Sequence, residues 1–390
     1  FRLPPLTAAA MAASSPSYHG SRALDADAYE RQLEEKVAEI ARAFAPFVDA
    51  SRARVARSEI VEFRSRVRFQ VVRDVDGASR YAMWDRGAPT VMVDDFPMAR
   101  RAIRDVMGRL LREASAVAAL RDGLEATHFL CGVAEGKVLA TLVYSTPINV
   151  DAWTLAARRL LATKFDDVSL ELMGRCKGVV AKTGDDFVWE EYELGDGSVL
   201  TYKHTEGAFS NPNRTITIAT MEFLRDAAKK KFSRRKMLLE LYCGNANHTC
   251  ALANLYERVV AVEVNPVLVD AARESLDMNS VSNVDIILSP SESVAKSLLR
   301  GKFKDAAGAT IRVEDFDAVL VDPPRAGLDA DTLALVSQID HVLYVSCGPE
   351  NLLANIRDGL DATHAVDDFI VLDHFPWTRH IEVAVSMRKR

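Results

Sequence analysis

The stretch MLLELYCGNANHTCALANLYERVVAVE, Met237 to Glu263, decides the fold. Met237 to Leu241 is a short apolar run suited to a buried strand. It enters the turn Tyr242-Cys243-Gly244-Asn245-Ala246-Asn247, after which the pattern becomes helical through Leu255. A second apolar run, Val259 to Val262, ends on Glu263, 19 positions beyond Gly244. Strand, glycine turn, helix, strand and terminal acid is the arrangement with which doubly wound α/β folds hold a nucleotide. The glycine admits close backbone approach and the acid bonds ribose hydroxyls. An exposed strand-end acid is the plainer reading of Glu263, and its position at a strand's carboxyl end favours the ribose role.

Downstream, Pro266 to Met278, Val284 to Leu288, Glu292 to Leu299, Ala318 to Val321 and Val342 to Val345 continue the alternation, which implies a parallel sheet with helices on both faces. The turn lacks G-x-G-x-x-G, and nothing matches G-x-x-x-x-G-K-[ST], so dinucleotides and nucleoside triphosphates are disfavoured and S-adenosylmethionine suits the single-glycine turn better. Asp322-Pro323-Pro324-Arg325 follows a strand; its prolines make a rigid turn that aims the carboxylate into the strand-end crevice, unless it is a surface Asp-Pro turn. Cys347 ends another strand, just before a helix expected to begin at Pro349. The positive end of that helix would stabilise a thiolate, which favours a nucleophile over an inert thiol. His374-Phe375-Pro376-Trp377 leads into His380-Ile381-Glu382 and the alternating Val383, Val385 and Met387. On a strand His380 and Glu382 share a face, as a general base with its orienting partner or as an edge-strand charge pattern.

The first half reads as α+β. Tyr29, Leu33, Val37, Ile40 and Phe44 recur at helical spacing, with Asp27 and Glu30 as a capping pair and a stop before Pro46. Short β-like segments at Val67 to Val72, Arg80 to Trp84 and Thr90 to Val93 suggest an antiparallel meander, and Met98 to Leu120 a long helix. Further strands are expected at Phe129 to Val133, Val138 to Tyr144, Ser169 to Met173, Val188 to Leu194 and Val199 to Lys203. Arginines cluster in Arg52 to Arg73 with Phe63 and Phe69 between them. That pattern could track a phosphate backbone and stack bases, or be a solvated strand face over core aromatics.

Composition bounds the rest. The 390 residues carry 49 Lys+Arg against 55 Asp+Glu, a net charge of −6, so any nucleic-acid groove must be local. The length calls for two domains, and no apolar run reaches the roughly 18 residues that cross a bilayer. Cys131, Cys176, Cys243, Cys250 and Cys347 form no C-x-x-C pair, which speaks against zinc and iron–sulfur spacings; all but Cys347 read as core. Residues Phe1 to Leu24, rich in Ala, Ser and Pro and free of acids, resemble a transit segment or a disordered leader, so the compartment is open between cytoplasm and organelle.

LLELYCGNANHTCALA, VDPPRAGLD, LYVSCGPENL and HFPWTRHIEV, in this order, resemble the RNA uracil-5-methyltransferases. AYERQLEEKV and the FSNPN stretch, Phe209 to Asn213, narrow the resemblance to the tRNA (uracil-5)-methyltransferase branch that acts on the T-loop uridine. It covers roughly Asp25 to the C-terminus. It implies a Rossmann-like methyltransferase domain over 211–390, preceded by an α+β RNA-binding domain over 25–210. It also implies S-adenosylmethionine as cofactor, the tRNA T-arm as partner, and a monomer without metal. Carried over by position, Tyr242, Asn247, Glu263 and Asp322 contact the cofactor, with Asn211 near it where the family usually has a glutamine. Cys347 matches the nucleophile and Glu382 the base. The chain departs from the pattern at Asn211, at Ala246 for a second glycine, at His248 for an aromatic and at Gly348 for an asparagine. Asn211 either leaves a partner unmet or sits on a backbone that has moved inward, and the intact remaining motifs favour the latter. Rival readings are action on ribosomal RNA, an amino-group methyltransferase, which Arg325 and Cys347 oppose, and an RNA-folding factor that has lost catalysis.

Overall fold

The computed structural model describes residues 24–49, 53–74, 76–83, 90–132, 136–163, 165, 168–230, 236–305 and 307–390. The leader through residue 23, the turn at 87–89 and most of the basic run at 229–236 lie outside them.

The chain opens on helix α1 (Ala26–Phe44) and strand β1 (Arg54–Ala56). The cap of α1 is Asp25, whose side chain accepts from Ala28 N at 2.8 Å, rather than the expected pair Asp27 and Glu30. Next come β2 (Arg66–Arg73), β3 (Ser79–Met83), β4 (Val91–Val93), α2 (Arg101–Ala116), α3 (Ala118–Arg121), β5 (Leu124–Cys131), β6 (Lys137–Tyr144), α4 (Val150–Leu161), β7 (Ser169–Cys176) and β8 (Val179–Lys182). The expected single helix over 98–120 is broken at Val117, whose backbone is extended. Strands β2 to β8 form a seven-stranded sheet ordered β4-β3-β2-β5-β6-β7-β8, with only β6 and β7 parallel, joined by the α4 crossover. Helices α2 and α4 cover one face, burying Ile103, Leu110 and Trp153 against Phe69, Phe129 and Leu142.

A hairpin, β9 (Phe187–Glu193) and β10 (Val199–Thr205), leads to α5 (Arg214–Lys229). The remaining elements are β11 (Met237–Leu241), α6 (Asn247–Leu252), β12 (Arg258–Glu263), α7 (Pro266–Met278), β13 (Val284–Leu288), α8 (Ser291–Leu299), β14 (Ala318–Val321), α9 (Ala330–Val336), β15 (His341–Ser346), α10 (Pro349–Asn355), β16 (His364–Leu372) and β17 (Glu382–Lys389). They form an eight-stranded sheet ordered β1-β16-β17-β15-β14-β11-β12-β13. All its pairings are parallel except those of β17, which is antiparallel to both β15 and β16. The strands named in the alternation pair in parallel as it implied, and the final strand inserts in reverse between β15 and β16, so it is interior and not an edge. Helices α1, α8, α9 and α10 bury one face of this sheet, and α5 and α6 the other. This is the doubly wound, Rossmann-like architecture.

Sheet membership does not follow the linear division at residues 25 and 210. Helix α1 packs into the core of the eight-stranded sheet and β1 pairs with β16, so these two elements belong to the second unit although they precede the first in sequence. The hairpin also rests on α7, with Thr201 N donating to Asn279 Oδ1 at 2.9 Å. Because β11 has β12 on one side and β14 on the other, strand order reverses at β11, and the crevice beyond its carboxyl end is where such folds bind ligands.

Candidate functional site

The turn after β11 is built from backbone in the left-handed region: Tyr242 (φ 64°), Gly244 (φ 58°) and Ala246 (φ 65°). Such a path lets amides face the crevice. Gly244 N donates to Glu263 Oε2 at 3.0 Å, while Glu263 Oε1 accepts from Val264 N at 3.0 Å and Asn265 N at 2.8 Å. An ionised carboxylate has about four acceptor sites. Oε1 is therefore filled and Oε2 keeps a lone pair for a ribose hydroxyl. A Cβ placed on Gly244 would meet nothing within 4 Å, so no chain atom crowds that side of the turn. These features fit S-adenosylmethionine.

Tyr242 is half-buried and leans toward Ser291 and Thr332 at the starts of α8 and α9; burial raises its hydroxyl pKa. Asn247 opens α6, and its carbonyl accepts from Tyr202 Oη at 2.8 Å. Asp322 stands past β14, its Oδ2 3.3 Å from His248 Nε2. Burial works against a charge on His248, but the hydrogen bond to Asp322, its charge and that of Glu240 together raise the imidazole's pKa. Burial pushes Glu240 beneath it up to about 7. Tyr242, Asn247, Glu263 and Asp322 thus converge on one crevice. Asn211 does not join them by any hydrogen bond: its amide has no partner among the described residues, and it lies in the segment between the hairpin and α5.

The chemical pair sits on the same rim. Antiparallel register pairs Ser346 of β15 with Val383 of β17, so the next residues outward, Cys347 and Glu382, face each other across the strand ends. Cys347 is partly exposed, whereas the other four cysteines are buried. Its thiol is not pre-ionised as the helix argument had led us to expect. Burial raises its pKa, and the charges of Glu382 and Asp322 raise it further against the lowering effect of Arg325. Helix α10 has only seven residues, and burial together with the two acidic neighbours outweighs its start. Burial, then Asp322, pushes Glu382 up to about 8, with Arg325 opposing. Gly348 is dictated locally, because a Cβ there would lie 2.8 Å from Arg325 O.

Of the two readings left open for His380, a partnership with Glu382 is not what forms. His380 is exposed before β17 begins, its Nδ1 3.4 Å from Arg325 Nη2. His374, 2% exposed, instead brings Nε2 to 3.3 Å from Glu382 Oε2. Residue spacing on a strand predicted the first arrangement; the turn at 373–381 places the second. Asn213 was also missed as a structural link. It caps α5 through Ile216 N and donates Nδ2 to Ser58 Oγ at 2.7 Å and His374 O at 3.2 Å. Its place in FSNPN was the available signal.

A cavity of about 490 Å³ opens beside this rim, lined among others by Arg64, Arg66, Arg68, Phe209, Ser210 and Phe375. Strand alternation points Arg66 and Arg68 away from the core that Val67 and Phe69 enter. Phe63 and Phe69, at 3% and 2% exposure, are core aromatics and cannot stack on a ligand, which corrects the base-stacking reading. Phe209, 67% exposed, is the aromatic at the surface. Phe375 lines the cavity while its neighbour His374 touches Glu382, so the basic cavity adjoins the reactive pair.

The family model described as tRNA (Uracil-5-)-methyltransferase matches residues 28–390. The tRNA/tmRNA (uracil-C(5))-methyltransferase of Pseudomonas fluorescens strain SBW25 is 36% identical over 370 residues, 94% of this chain and 99% of that protein. The protein of the same name from Pseudomonas putida strain W619 is 35% identical over 373 residues, 95% of this chain and 100% of its own. Among solved structures, the Pyrococcus abyssi tRNA (uracil-54, C5)-methyltransferase in complex with S-adenosyl-L-homocysteine aligns with a TM-score of 0.68 at 20% identity. It covers 92% of this chain and 83% of that one, a likeness of fold.

Proposed function

This chain belongs to the tRNA (uracil-5)-methyltransferase family and is an S-adenosylmethionine-dependent enzyme, and on that premise we propose that it methylates C5 of the T-loop uridine of tRNA through a covalent adduct on Cys347. The observation that carries the reading is the register that sets Cys347 opposite Glu382 at the mouth of the cofactor crevice.

The residue types suit the chemistry. Uracil C5 is a poor nucleophile. Cys347, its thiol proton given up to water, attacks C6, forming an S–C6 bond and pushing the C5–C6 π pair onto the C4 carbonyl as an enolate, which makes C5 reactive. S-adenosylmethionine, when bound, supplies the methyl group as an electrophile. Glu382 then takes the proton left on C5, the electron pair restores the C5–C6 double bond, and the thiolate departs from C6. A carboxyl with a pKa near 8 serves this last step, because a base poised close to the working pH both accepts the proton readily and releases it afterwards. Tyr242, Asn247, Glu263 and Asp322 would hold the cofactor, with Glu263 on the ribose. Asn211 completes this set in our reading, near the cofactor on the segment that leads into α5.

C5 and C6 are shielded inside folded RNA, so the nucleotide must be extruded to reach Cys347. The cavity supports that step: Arg64, Arg66 and Arg68 offer phosphate contacts and exposed Phe209 a stacking surface for unpaired bases. The relatives are named for tRNA and tmRNA, and the solved Pyrococcus protein is named for uracil-54.

The test is mass spectrometry of tRNA digests after incubation with S-adenosylmethionine. 5-Methyluridine should appear in the T-loop with the wild type and vanish with Cys347→Ser, while cofactor binding persists. RNA carrying 5-fluorouridine, whose fluorine cannot leave as a proton does, should trap a denaturant-resistant complex with the wild type alone. Turnover by Cys347→Ser would sink the covalent route.

A further inference from the structure

His374 has no part in the chemistry above, yet it is among the most firmly located side chains near the reactive pair. Its ring is 2% exposed, and its Nε2 lies 3.3 Å from Glu382 Oε2. Three separate parts of the chain fix the backbone that carries it. Lys36 of α1 donates Nζ to Asp373 Oδ1 at 2.8 Å, with Asp373 fully buried, and to Phe375 O at 3.3 Å. Asn213, at the start of α5, holds His374 O. Leu372, the last residue of β16, pairs with Glu382, so the strand register brings the ring over the carboxyl.

The ring's other nitrogen is equally informative. Nδ1 is buried and has no hydrogen-bond partner, so no group on that side fixes the tautomer. Burial, then the charge of His248, holds the imidazole down to about 3. At neutral pH it is an uncharged ring with one N–H to give, and Glu382 becomes an acceptor for it once the carboxyl ionises as pH rises toward about 8. The charged and titratable groups around Glu382 are Asp322 and Arg325 from beyond β14, Cys347 from β15 and His374 from beyond β16. Among them the Cys347 thiol and the His374 ring are uncharged, and the His374 ring is the one whose nitrogen lies 3.3 Å from the carboxyl oxygen. A hydrogen bond formed across this 3.3 Å contact would restrain the carboxylate about its terminal torsion and leave Oε1 free for a second partner.

We propose that His374 is a positioning residue, donating Nε2–H to Glu382 Oε2 and so presenting Oε1 to the proton on C5 of the methylated uracil adduct. This rests on the base role assigned to Glu382 under the proposed function. His374 itself touches neither substrate nor cofactor in this role.

The experiment compares His374→Met, which keeps bulk but has no donor, with His374→Gln, whose amide nitrogen stands near the position of Nε2, using Glu382→Gln as reference. All are assayed as full-length protein on tRNA. His374→Met should lower kcat about 10- to 100-fold, the worth of a hydrogen bond to a charged group, with KM for tRNA unchanged. It should accumulate denaturant-stable protein–RNA adduct as Glu382→Gln does. The acid limb of its pH–rate profile should move to higher pH, because a carboxylate that loses a donor holds its proton more tightly. His374→Gln should restore all three readouts most of the way. Wild-type adduct levels and an unmoved acid limb in His374→Met, beside a Glu382→Gln that does accumulate adduct, would overturn the positioning role and leave the function reading intact. Equal impairment of the Met and Gln variants would also overturn it, since packing alone would then explain the loss. Absence of adduct in Glu382→Gln would remove the base assignment, and this proposal with it.

Discussion

The two large sheets of this protein place functional groups in opposite ways. In the eight-stranded sheet five candidate residues sit at strand ends: Tyr242 after β11, Glu263 at the end of β12, Asp322 after β14, Cys347 after β15, and Glu382 at the start of the reversed β17. In the seven-stranded sheet the candidates sit along a strand, Arg66 and Arg68 on the face that α2 and α4 leave uncovered. Strand ends converge because parallel strands all finish on one rim, so residues far apart in sequence meet by topology alone. A sheet face converges only where neighbouring elements leave it open. The first arrangement resists surface change and fails at single atoms; the second should fail by degrees.

The largest effect expected is on the rim. Glu382→Gln should cut turnover by about 10²- to 10⁴-fold, the usual range for loss of a general base, and stall the reaction as a covalent adduct. The same residue predicts a pH dependence. Wild-type kcat/KM should climb as pH rises toward about 8, where the free enzyme's Glu382 becomes carboxylate. Stability should run the other way. The unfolded carboxyl ionises near 4.5 while the folded one stays protonated to about 8, so the folded state loses stability as pH rises through that window. Glu382→Gln should therefore melt higher than wild type at pH 8, by about 2–4 °C, and match it at pH 4. Equal melting at pH 8 would show that the carboxyl is not held above its ordinary range.

On the sheet face the expected effects are graded. Arg66→Ala and Arg68→Ala should each weaken tRNA binding across substrates and lower the slope of log affinity against log salt by about 1, leaving S-adenosylmethionine affinity unchanged. A flat salt response would show that these side chains do not meet phosphate. That result would erase the contrast between the sheets.

Smaller still is the effect at Asn211, which lies between two residues lining the cavity, Ser210 and Pro212. If the backbone here has moved inward to suit the shorter amide, Asn211→Gln overpacks the segment and kcat/KM falls a few-fold, about 1 kcal/mol. A gain in tRNA methylation would show instead that a partner is being left unmet. The least effect belongs to Ala246, which holds φ 65° and ψ 31° while fully buried. Glycine relieves left-handed strain of about 1–2 kcal/mol but gives up a buried methyl worth about 0.8. Chemical denaturation of Ala246→Gly should thus show a shift within about 1 kcal/mol, toward greater stability.

The sequence by itself determined the rim. Strand periodicity, the glycine turn and the Asp322-Pro323-Pro324 punctuation are local signals, and each names the residue at which a strand must end. It did not determine what covers each surface. Phe63 and Phe69 share a stretch with arginines, and only packing against Tyr81, Phe96 and Phe129 shows Phe69 to be core. It did not show that α1 and β1 complete the second sheet, because a parallel pairing such as β1 with β16 leaves no mark on either segment. It pointed to His380 beside Glu382, since alternation assumes a straight strand, whereas the turn at 373–381 brings in His374. It expected a thiolate at Cys347 from one helix start, whereas burial raises the thiol's pKa first, and then Glu382 and Asp322, which arrive from other strands. Residue identity and spacing carry the chemistry a chain can perform. Protonation and orientation depend on desolvation and on neighbours distant in sequence, and those exist only once the chain has folded.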